Sequence, residues 1–162
     1  LHLPSNVDDQ ATLRGIFVAL VEIARDLPIF FPIHPRTRKM AEEFGLTGYF
    51  SNDTRPQGLW VIEPLGYLEL LHLNMQARMI LTDSGGLQEE ATVLGVPCMT
   101  LRDNTERPIT CLEGTNKIVG NKRENILKAA RQVINDSLGE GKIPEKWDGH
   151  AAARIVSVLL SV

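Results

Sequence analysis

The chain has 162 residues, of which 43% are hydrophobic and 23% are charged, and its formal net charge is −3. A chain of this size can bury one sizeable hydrophobic core, so we expect a single domain. It has no basic stripe with interleaved aromatic residues and no apolar run as long as a membrane span, which argues against nucleic acid and membrane as partners.

The two cysteines, Cys98 and Cys111, lack the spacing of a metal site or a redox motif. We expect both to be reduced thiols with structural roles, and we expect neither a metal nor a cofactor. No signal peptide is visible, so the sequence favours a cytoplasmic protein.

The first predicted helix covers residues 6–26, where Asp8 or Asp9 can cap it. Its apolar residues recur at helical spacing and should face the core: Leu13, Ile16, Phe17, Leu20, Ile23 and Ala24. Residues 28–33 are apolar at nearly every position, which is typical of a parallel strand buried on both faces.

Three polar residues follow the carboxyl end of this strand, the side on which α/β sheets bind ligands: His34, Arg36 and Arg38. Two interpretations remain open. Pro35 can simply begin the next helix and leave the arginines solvated, or His34 can contact a ligand.

A short helix is predicted over residues 37–44, followed by an exposed polar segment over residues 46–57 and a strand over residues 58–62. Residues 63–66 form a loop before a helix over residues 67–76, with Leu68, Leu71 and Met75 predicted to face inward. An apolar loop and first helical turn can hold a planar base, although a leucine stripe at this spacing also describes an ordinary core.

Residues 79–83 read as a strand, and Ser84-Gly85-Gly86 leads from it into a helix over residues 87–94. Unpaired N–H groups and the positive end of the helix dipole suit a phosphate there, and glycine allows a close approach to the backbone. Glu90 lies one turn further along, where it can accept hydrogen bonds from ribose hydroxyls. A nucleoside diphosphate fits both features, but this turn also occurs in proteins merely to reverse the chain.

Charged residues crowd behind the next apolar run, residues 97–101, where an open α/β sheet places its binding loops: Arg102, Asp103, Glu106 and Arg107. Arg107 can bind a phosphate or Glu90. A solvated charge cluster would have the same composition.

Three further elements are predicted beyond this region: a strand over residues 116–119, a helix over residues 123–135 and a terminal helix after Trp147. The loop over residues 137–145 separates the last two. Strands that alternate with helices at this spacing predict an α/β fold, a Rossmann-like parallel sheet with helices on both faces.

Residues 82–120 carry a family resemblance, in the run TDSGGLQEEATVLGVPCMTLRDNTERPITCLEGTNKIVG. With the segments LHLPSNVDD, HPRT, EPLGYLELLHL and WDGHAAARI, it closely resembles the C-terminal half of the non-hydrolysing UDP-N-acetylglucosamine 2-epimerases. These bacterial enzymes interconvert UDP-GlcNAc and UDP-ManNAc. DSGG, QEEA and TERP in this order are far more specific than any one of them alone.

The resemblance implies that residues 1–162 are the C-terminal, UDP-binding domain of a two-domain protein of GT-B type, with the N-terminal domain absent from this chain. It implies catalysis by elimination and re-addition of UDP, with the groups that handle the C2 proton in that other domain, so this half alone should be inactive. It also implies a role in cell-surface polysaccharide synthesis and commonly a homodimer.

Residue by residue, the resemblance implies that UDP binds at Ser84, Gly85, Gly86, Glu90 and Arg107. It also places Leu65 and Leu70 at the base pocket, the second being aromatic in many relatives. The resemblance further implies that His34 lies near the substrate or a regulatory nucleotide-sugar site.

His2 aligns with the active-site histidine of the family, although a histidine at a chain terminus would otherwise suggest fraying. Leu3 departs from the family pattern, in which arginine is usual. The absence of that arginine removes one contact to an anion, and a charged hydrogen bond contributes about 1.5–3 kcal/mol.

Two other functions fit the same residues. One is a nucleotide-sugar glycosyltransferase of the same two-domain architecture, against which the DSGG, QEEA and TERP combination argues. The other is a nucleotide-sugar-binding module without catalysis, which Leu3 and the missing half favour.

Overall fold

The computed structural model describes residues 1–50, 58–136 and 141–161, in which short parallel strands alternate with helices. The predicted segments 46–57 and 137–145 therefore lie partly outside the described residues. In chain order the elements are α1 Pro4–Val7, α2 Gln10–Ile23, β1 Ile29–Pro32, α3 Pro35–Glu43, a 3-10 helix Thr47–Tyr49, β2 Leu59–Ile62, α4 Tyr67–Met75, β3 Ile80–Thr82, α5 Gly85–Leu94, β4 Cys98–Thr100, α6 Pro108–Leu112, β5 Asn116–Ile118, α7 Arg123–Ile134 and α8 Ala151–Leu160.

All strand pairs in the described part of the chain are parallel, which confirms the predicted α/β class. The strands form two sheets rather than one continuous sheet, with the orders β1-β2 and β3-β4-β5. Ile29 pairs with Leu59 in the first sheet, and Ile80 pairs with Cys98 in the second. β1 and β3 are not paired, and residues of both strands line an apolar cavity of about 450 Å³.

The helices pack in two separate hydrophobic clusters. The larger one joins α2 and α7 to the strands, and it contains every predicted inward residue of α2. The smaller one consists of Ile80, Ala91, Val96 and Cys98, where α5 covers β3 and β4. Asp9 caps α2 through a hydrogen bond from the Thr12 N–H (2.8 Å), so one of the two predicted caps is confirmed.

The predicted inward face of α4 is wrong for Leu68 and Met75, whereas Leu71 is half-buried. Leu68 is 75% exposed and Met75 is 54% exposed, whereas Asn74 is buried. The helix instead directs Leu70 and Leu73 toward the cavity between β1 and β3, because that cavity is the apolar surface it faces.

Two other burial predictions also differ from the structure. Phe30 in β1 is half exposed and stacks on Trp60, with ring centroids 6.3 Å apart, so this strand is not buried on both faces. Leu46 is buried at the start of the segment predicted to be exposed, because it packs into the larger cluster.

The terminal helix α8 buries none of its residues in the described structure. Its large apolar side chains, including Ile155, Val158 and Leu159, are all more than half exposed. Within the described ranges, no helix is both long and apolar enough to cross a lipid bilayer.

Candidate functional site

The turn between β3 and α5 presents backbone donors at the carboxyl edge of the sheet. Thr82 ends β3, and its hydroxyl accepts a hydrogen bond from the Ser84 N–H (3.0 Å), which fixes the turn. Ser84 occupies the N-cap position, but its side chain does not cap α5. Among the described residues, no side chain accepts a hydrogen bond from the first-turn N–H groups, although the Glu106 carboxylate lies beside Gly85. The helix dipole favours negative charge there.

A cavity of about 330 Å³ opens beside this turn. Six of the predicted site residues line it: His2, His34, Leu70, Ser84, Gly86 and Glu90. These residues come from four separate parts of the chain, so the fold brings together groups that the sequence shows only as distant motifs.

Three predicted site residues, Leu65, Gly85 and Arg107, are not on the wall of this cavity. Leu65 is half-buried in the loop before α4. Tyr67, which no sequence argument singled out, lines the cavity next to Leu70. The sequence does show an aromatic residue in the first turn of this helix, and that residue could have indicated a surface for a planar base.

Glu90 is half-buried on the cavity wall. Among the described residues it has neither a hydrogen-bond nor an ion-pair partner, and desolvation by burial raises the pKa of its carboxyl group. A carboxylate that is desolvated without a partner is available to accept hydrogen bonds from a ligand.

Arg107 forms an ion pair with Glu89, with Nε 2.9 Å from Oε1. The alternative in which Arg107 binds Glu90 is therefore wrong in this structure. Both partners of the pair are about two-fifths exposed, because Glu89 lies on the outer side of α5 while Glu90 turns toward the cavity.

The family resemblance predicts that UDP binds at Gly85, but in the structure the carboxylate of Glu106 lies beside this glycine. A Cβ atom at this position would collide with the carboxylate of Glu106. Glu106 is held there by Arg102, with Nη2 2.8 Å from Oε2, and the hydrogen bond from Arg102 lowers the pKa of Glu106. Sequence reasoning had placed these two residues only in a charge cluster.

Asp83 ties the start of the chain to the end of β3, and only 1% of its surface is exposed. Its Oδ2 accepts hydrogen bonds from the N–H groups of His2 and Leu3, both at 2.9 Å, and from Asn6 Nδ2 at 3.2 Å. Burial acts to raise the pKa of Asp83, and the hydrogen bonds from Leu3, His2 and Asn6 act to lower it. His2 is thus held in place and does not fray.

His34 is the N-cap residue of α3, and Pro35 begins the helix. The His34 Nδ1 accepts a hydrogen bond from the Arg36 N–H (3.2 Å), and its ring centroid lies 5.5 Å from that of His2. The arginine side chains point elsewhere, since Arg36 pairs with Asp8 and Arg38 with Glu63. The proline starts a helix, as the first interpretation predicts. His34 also lines the cavity, and its contact with a ligand stays a prediction.

The described residues contain no group of three or more His, Cys, Asp or Glu side chains placed to hold a metal ion. The cavity beside α5 is lined by the two histidines His2 and His34 and by the two carboxylates of Asp83 and Glu90. Parallel strands, crossover helices and a helix N-terminus that opens into a cavity at the strand ends define an α/β ligand-binding domain of Rossmann type.

Residues 1–160 match the family model described as UDP-N-acetylglucosamine 2-epimerase, and the chain belongs to this family. The family resemblance predicted from residues 82–120 is thereby confirmed.

Relatives extend this result. The UDP-N-acetylglucosamine 2-epimerase of Methanocaldococcus jannaschii is 44% identical over 154 residues, a match that covers 90% of this chain and 41% of the relative. The UDP-2,3-diacetamido-2,3-dideoxy-D-glucuronate 2-epimerase of Pseudomonas aeruginosa is 38% identical over 163 residues, covering 98% of this chain and 42% of the relative.

A solved structure of the Methanocaldococcus jannaschii UDP-GlcNAc 2-epimerase, in complex with UDP-GlcNAc and UDP, superimposes with a TM-score of 0.83 at 41% identity. The match covers 99% of this chain and 44% of that protein. The chain thus spans less than half the length of these relatives.

Proposed function

We propose that this chain is the C-terminal, UDP-binding half of a two-domain, GT-B-type UDP-N-acetylglucosamine 2-epimerase, and that UDP binds in the cavity beside α5. The observation that carries the proposal is the convergence of His2, Ser84, Gly86 and Glu90 on that one cavity. Family membership supports it, as does the similarity to a solved relative that contains UDP-GlcNAc and UDP.

The diphosphate is assigned to the first turn of α5. A Cβ atom built at Gly86 would meet only the Ser84 hydroxyl, at 4.0 Å, so the backbone there is open to a ligand. Phosphate oxygens can accept hydrogen bonds from the first-turn N–H groups and from that hydroxyl. The positive end of the helix dipole adds to this attraction.

The nucleoside is assigned to the rest of the cavity wall. Glu90 can accept hydrogen bonds from both ribose hydroxyls, since its carboxylate has no partner among the described residues. Tyr67 and Leu70 supply the apolar surface for the uracil ring, and Tyr67 offers an aromatic face where Leu70 has none.

Arg107 can reach a phosphate only after it leaves Glu89. The cost is small, since an exposed ion pair contributes about 0–1 kcal/mol. Leu3 provides no cation, and its N–H is already bound to Asp83. The positive charge around the diphosphate therefore comes from Arg107, from the helix dipole and from His2 when His2 is protonated.

In the proposed reaction UDP leaves C1 of the sugar as the C2 proton is removed, and it adds again after the proton returns to the opposite face. The α5 N-terminus stabilises the charge that develops on the departing diphosphate. The groups that move the C2 proton are assigned to the other domain. This chain alone should bind UDP and convert no substrate.

Calorimetric titration tests the binding proposal. UDP should bind to the chain, and uridine should bind at least about tenfold more weakly, because it lacks the charged groups for the helix N-terminus. Equal affinities for UDP and uridine would overturn the assignment of the diphosphate to α5.

Incubation with UDP-GlcNAc tests the division of labour. Product analysis should show no UDP-ManNAc from this chain alone, and its formation would contradict the proposal. When the chain is joined to its N-terminal domain, a parallel incubation with sugar acceptors separates an epimerase from a glycosyltransferase, since only the latter transfers the sugar.

A further inference from the structure

The two carboxylate oxygens of Asp83 face different groups: Oδ2 faces backbone N–H groups, and Oδ1 faces the imidazole ring of His2. Oδ2 accepts the hydrogen bonds from His2 N–H, Leu3 N–H and Asn6 Nδ2 described above. Oδ1 lies 3.2 Å from His2 Nδ1 and 3.9 Å from the Leu1 amino group, and it accepts no hydrogen bond from the described residues. One oxygen thus fixes the backbone of His2 while the other faces its imidazole.

An ionised carboxylate can only accept hydrogen bonds, and a neutral imidazole carries its single proton on one of two nitrogens. At 3.2 Å, an unprotonated Nδ1 would set its lone pair against the negative charge of Asp83. A protonated Nδ1 can donate to Oδ1 once the ring turns toward it.

We propose that Asp83 is a positioning residue for His2: it fixes the Nδ1–H tautomer of His2 and leaves Nε2 as the open nitrogen on the side of the cavity. The same logic applies wherever a buried carboxylate orients an active histidine.

His34 carries the opposite tautomer. Its Nδ1 accepts the hydrogen bond from the Arg36 N–H, so the ring proton of the neutral form is on Nε2. The two rings lie 5.5 Å apart on one cavity wall. The cavity therefore has a hydrogen-bond acceptor from His2 and a donor from His34.

The inference rests on the proposed function only for what occupies the cavity. Any proton that His2 gains must go to Nε2, because Nδ1 already carries one. The new N–H then faces a phosphate oxygen of UDP, while Asp83 balances the positive charge of the ring. Without the carboxylate, the ring can bind its proton at the wrong nitrogen.

Nitrogen-detected NMR of the ligand-free chain reads the tautomers directly. At pH about 9.5, about three units above the ordinary imidazole pKa, we expect the proton of His2 on Nδ1 and that of His34 on Nε2. In Asp83→Asn the amide oxygen can still accept from the His2 and Leu3 N–H groups, while its NH2 group faces the ring. His2 should then change to the Nε2–H tautomer, with His34 unchanged.

Asp26→Asn, at an exposed position between α2 and β1 that does not line the cavity, is the matched control and should alter neither ring. UDP affinity should fall about tenfold in Asp83→Asn and stay within about twofold in Asp26→Asn. An Nε2–H tautomer of His2 in the wild-type chain would overturn the inference, and this measurement stands even where Asp83→Asn does not fold. Weaker UDP binding without a change of tautomer would also overturn it, since that result indicates a structural role alone.

The two proposals fail separately. A chain that shows the expected tautomers but does not bind UDP contradicts the proposed function and leaves the role of Asp83 intact. A chain that binds UDP but carries the Nε2–H tautomer of His2 contradicts the proposed role of Asp83 and leaves the proposed function intact.

Discussion

The guanidinium of Arg107 binds Glu89, with Nε 2.9 Å from Oε1, and leaves the adjacent Glu90 without a partner among the described residues. Consecutive residues of a helix point about 100° apart, so one carboxylate belongs to a surface ion pair and the other to the cavity. This difference gives a matched pair of variants.

Glu90→Gln should weaken UDP binding about tenfold, because a neutral amide replaces the charged acceptor for the ribose hydroxyls. Glu89→Gln should change the affinity by no more than about twofold, since it breaks only an exposed ion pair. Calorimetry on both variants measures the difference. Equal losses in the two would show that Glu90 has no specific role.

Stability and binding should move in opposite directions at Gly86. Gly86→Ala should stabilise the chain by about 0.5–1 kcal/mol, because alanine is the better helix residue and its Cβ would enter open space. The same methyl group lies where the diphosphate is assigned, so UDP affinity should fall.

The control is Gly15→Ala in α2, where a Cβ also meets nothing within 4 Å. It should raise stability similarly and leave UDP affinity unchanged. Chemical denaturation and UDP titration on the two variants give the comparison. Undiminished binding in Gly86→Ala would argue against a phosphate at this turn.

The stability of the chain should depend on pH through Glu90. Burial raises the pKa of this carboxyl group above its ordinary value of 4.5, so the folded state binds the proton more tightly than the unfolded state. Its contribution to stability is therefore greatest below the ordinary value and is lost as pH rises from there through the raised value.

The Glu90→Gln variant does not lose stability in this way, because its amide does not ionise. The variant should have a higher Tm than the wild-type chain at pH about 7, and the gain should largely disappear at pH about 3.5, where the carboxyl group is mostly protonated in both states. Thermal unfolding followed by circular dichroism at the two pH values provides the measurement. A gain of the same size at both pH values would show that the charge of Glu90 is not the cause.

The terminal helix should contribute little to the stability of this chain. Leu159 is 70% exposed, so Leu159→Ala should change the free energy of unfolding by less than about 0.5 kcal/mol. Leu20 is 3% exposed in the larger cluster, and Leu20→Ala should cost about 2–5 kcal/mol. Urea denaturation compares them, and a cost above about 1 kcal/mol for Leu159→Ala would mean that α8 packs against the domain in solution.

Local patterns in the sequence predicted most of the elements. The apolar spacing of α2 and the Asp9 cap are properties of neighbouring residues, and both are confirmed. The division into two sheets was not predictable in this way, because it depends on the relative positions of β1 and β3, which are distant in the chain and both line one cavity. The prediction of the inward face of α4 was wrong for the same reason. Leu68 and Leu70 are equally apolar, and only the surrounding structure determines which of them is more buried.

The candidate site shows the same limit. The DSGG motif indicated the position of the helix N-terminus and of Glu90, since both follow from spacing along one helix. The partner of Arg107 and the contact between Asp83 and His2 depend on residues that are distant in the chain or on side-chain direction. Sequence motifs indicate which groups take part, and the fold decides which of them meet.

A crystal structure of the chain with UDP tests the central claim most directly. The account predicts phosphate oxygens within hydrogen-bonding distance of the first-turn N–H groups of α5 and ribose hydroxyls at the Glu90 carboxylate. A nucleotide bound elsewhere, with this helix N-terminus occupied by protein side chains, would contradict it.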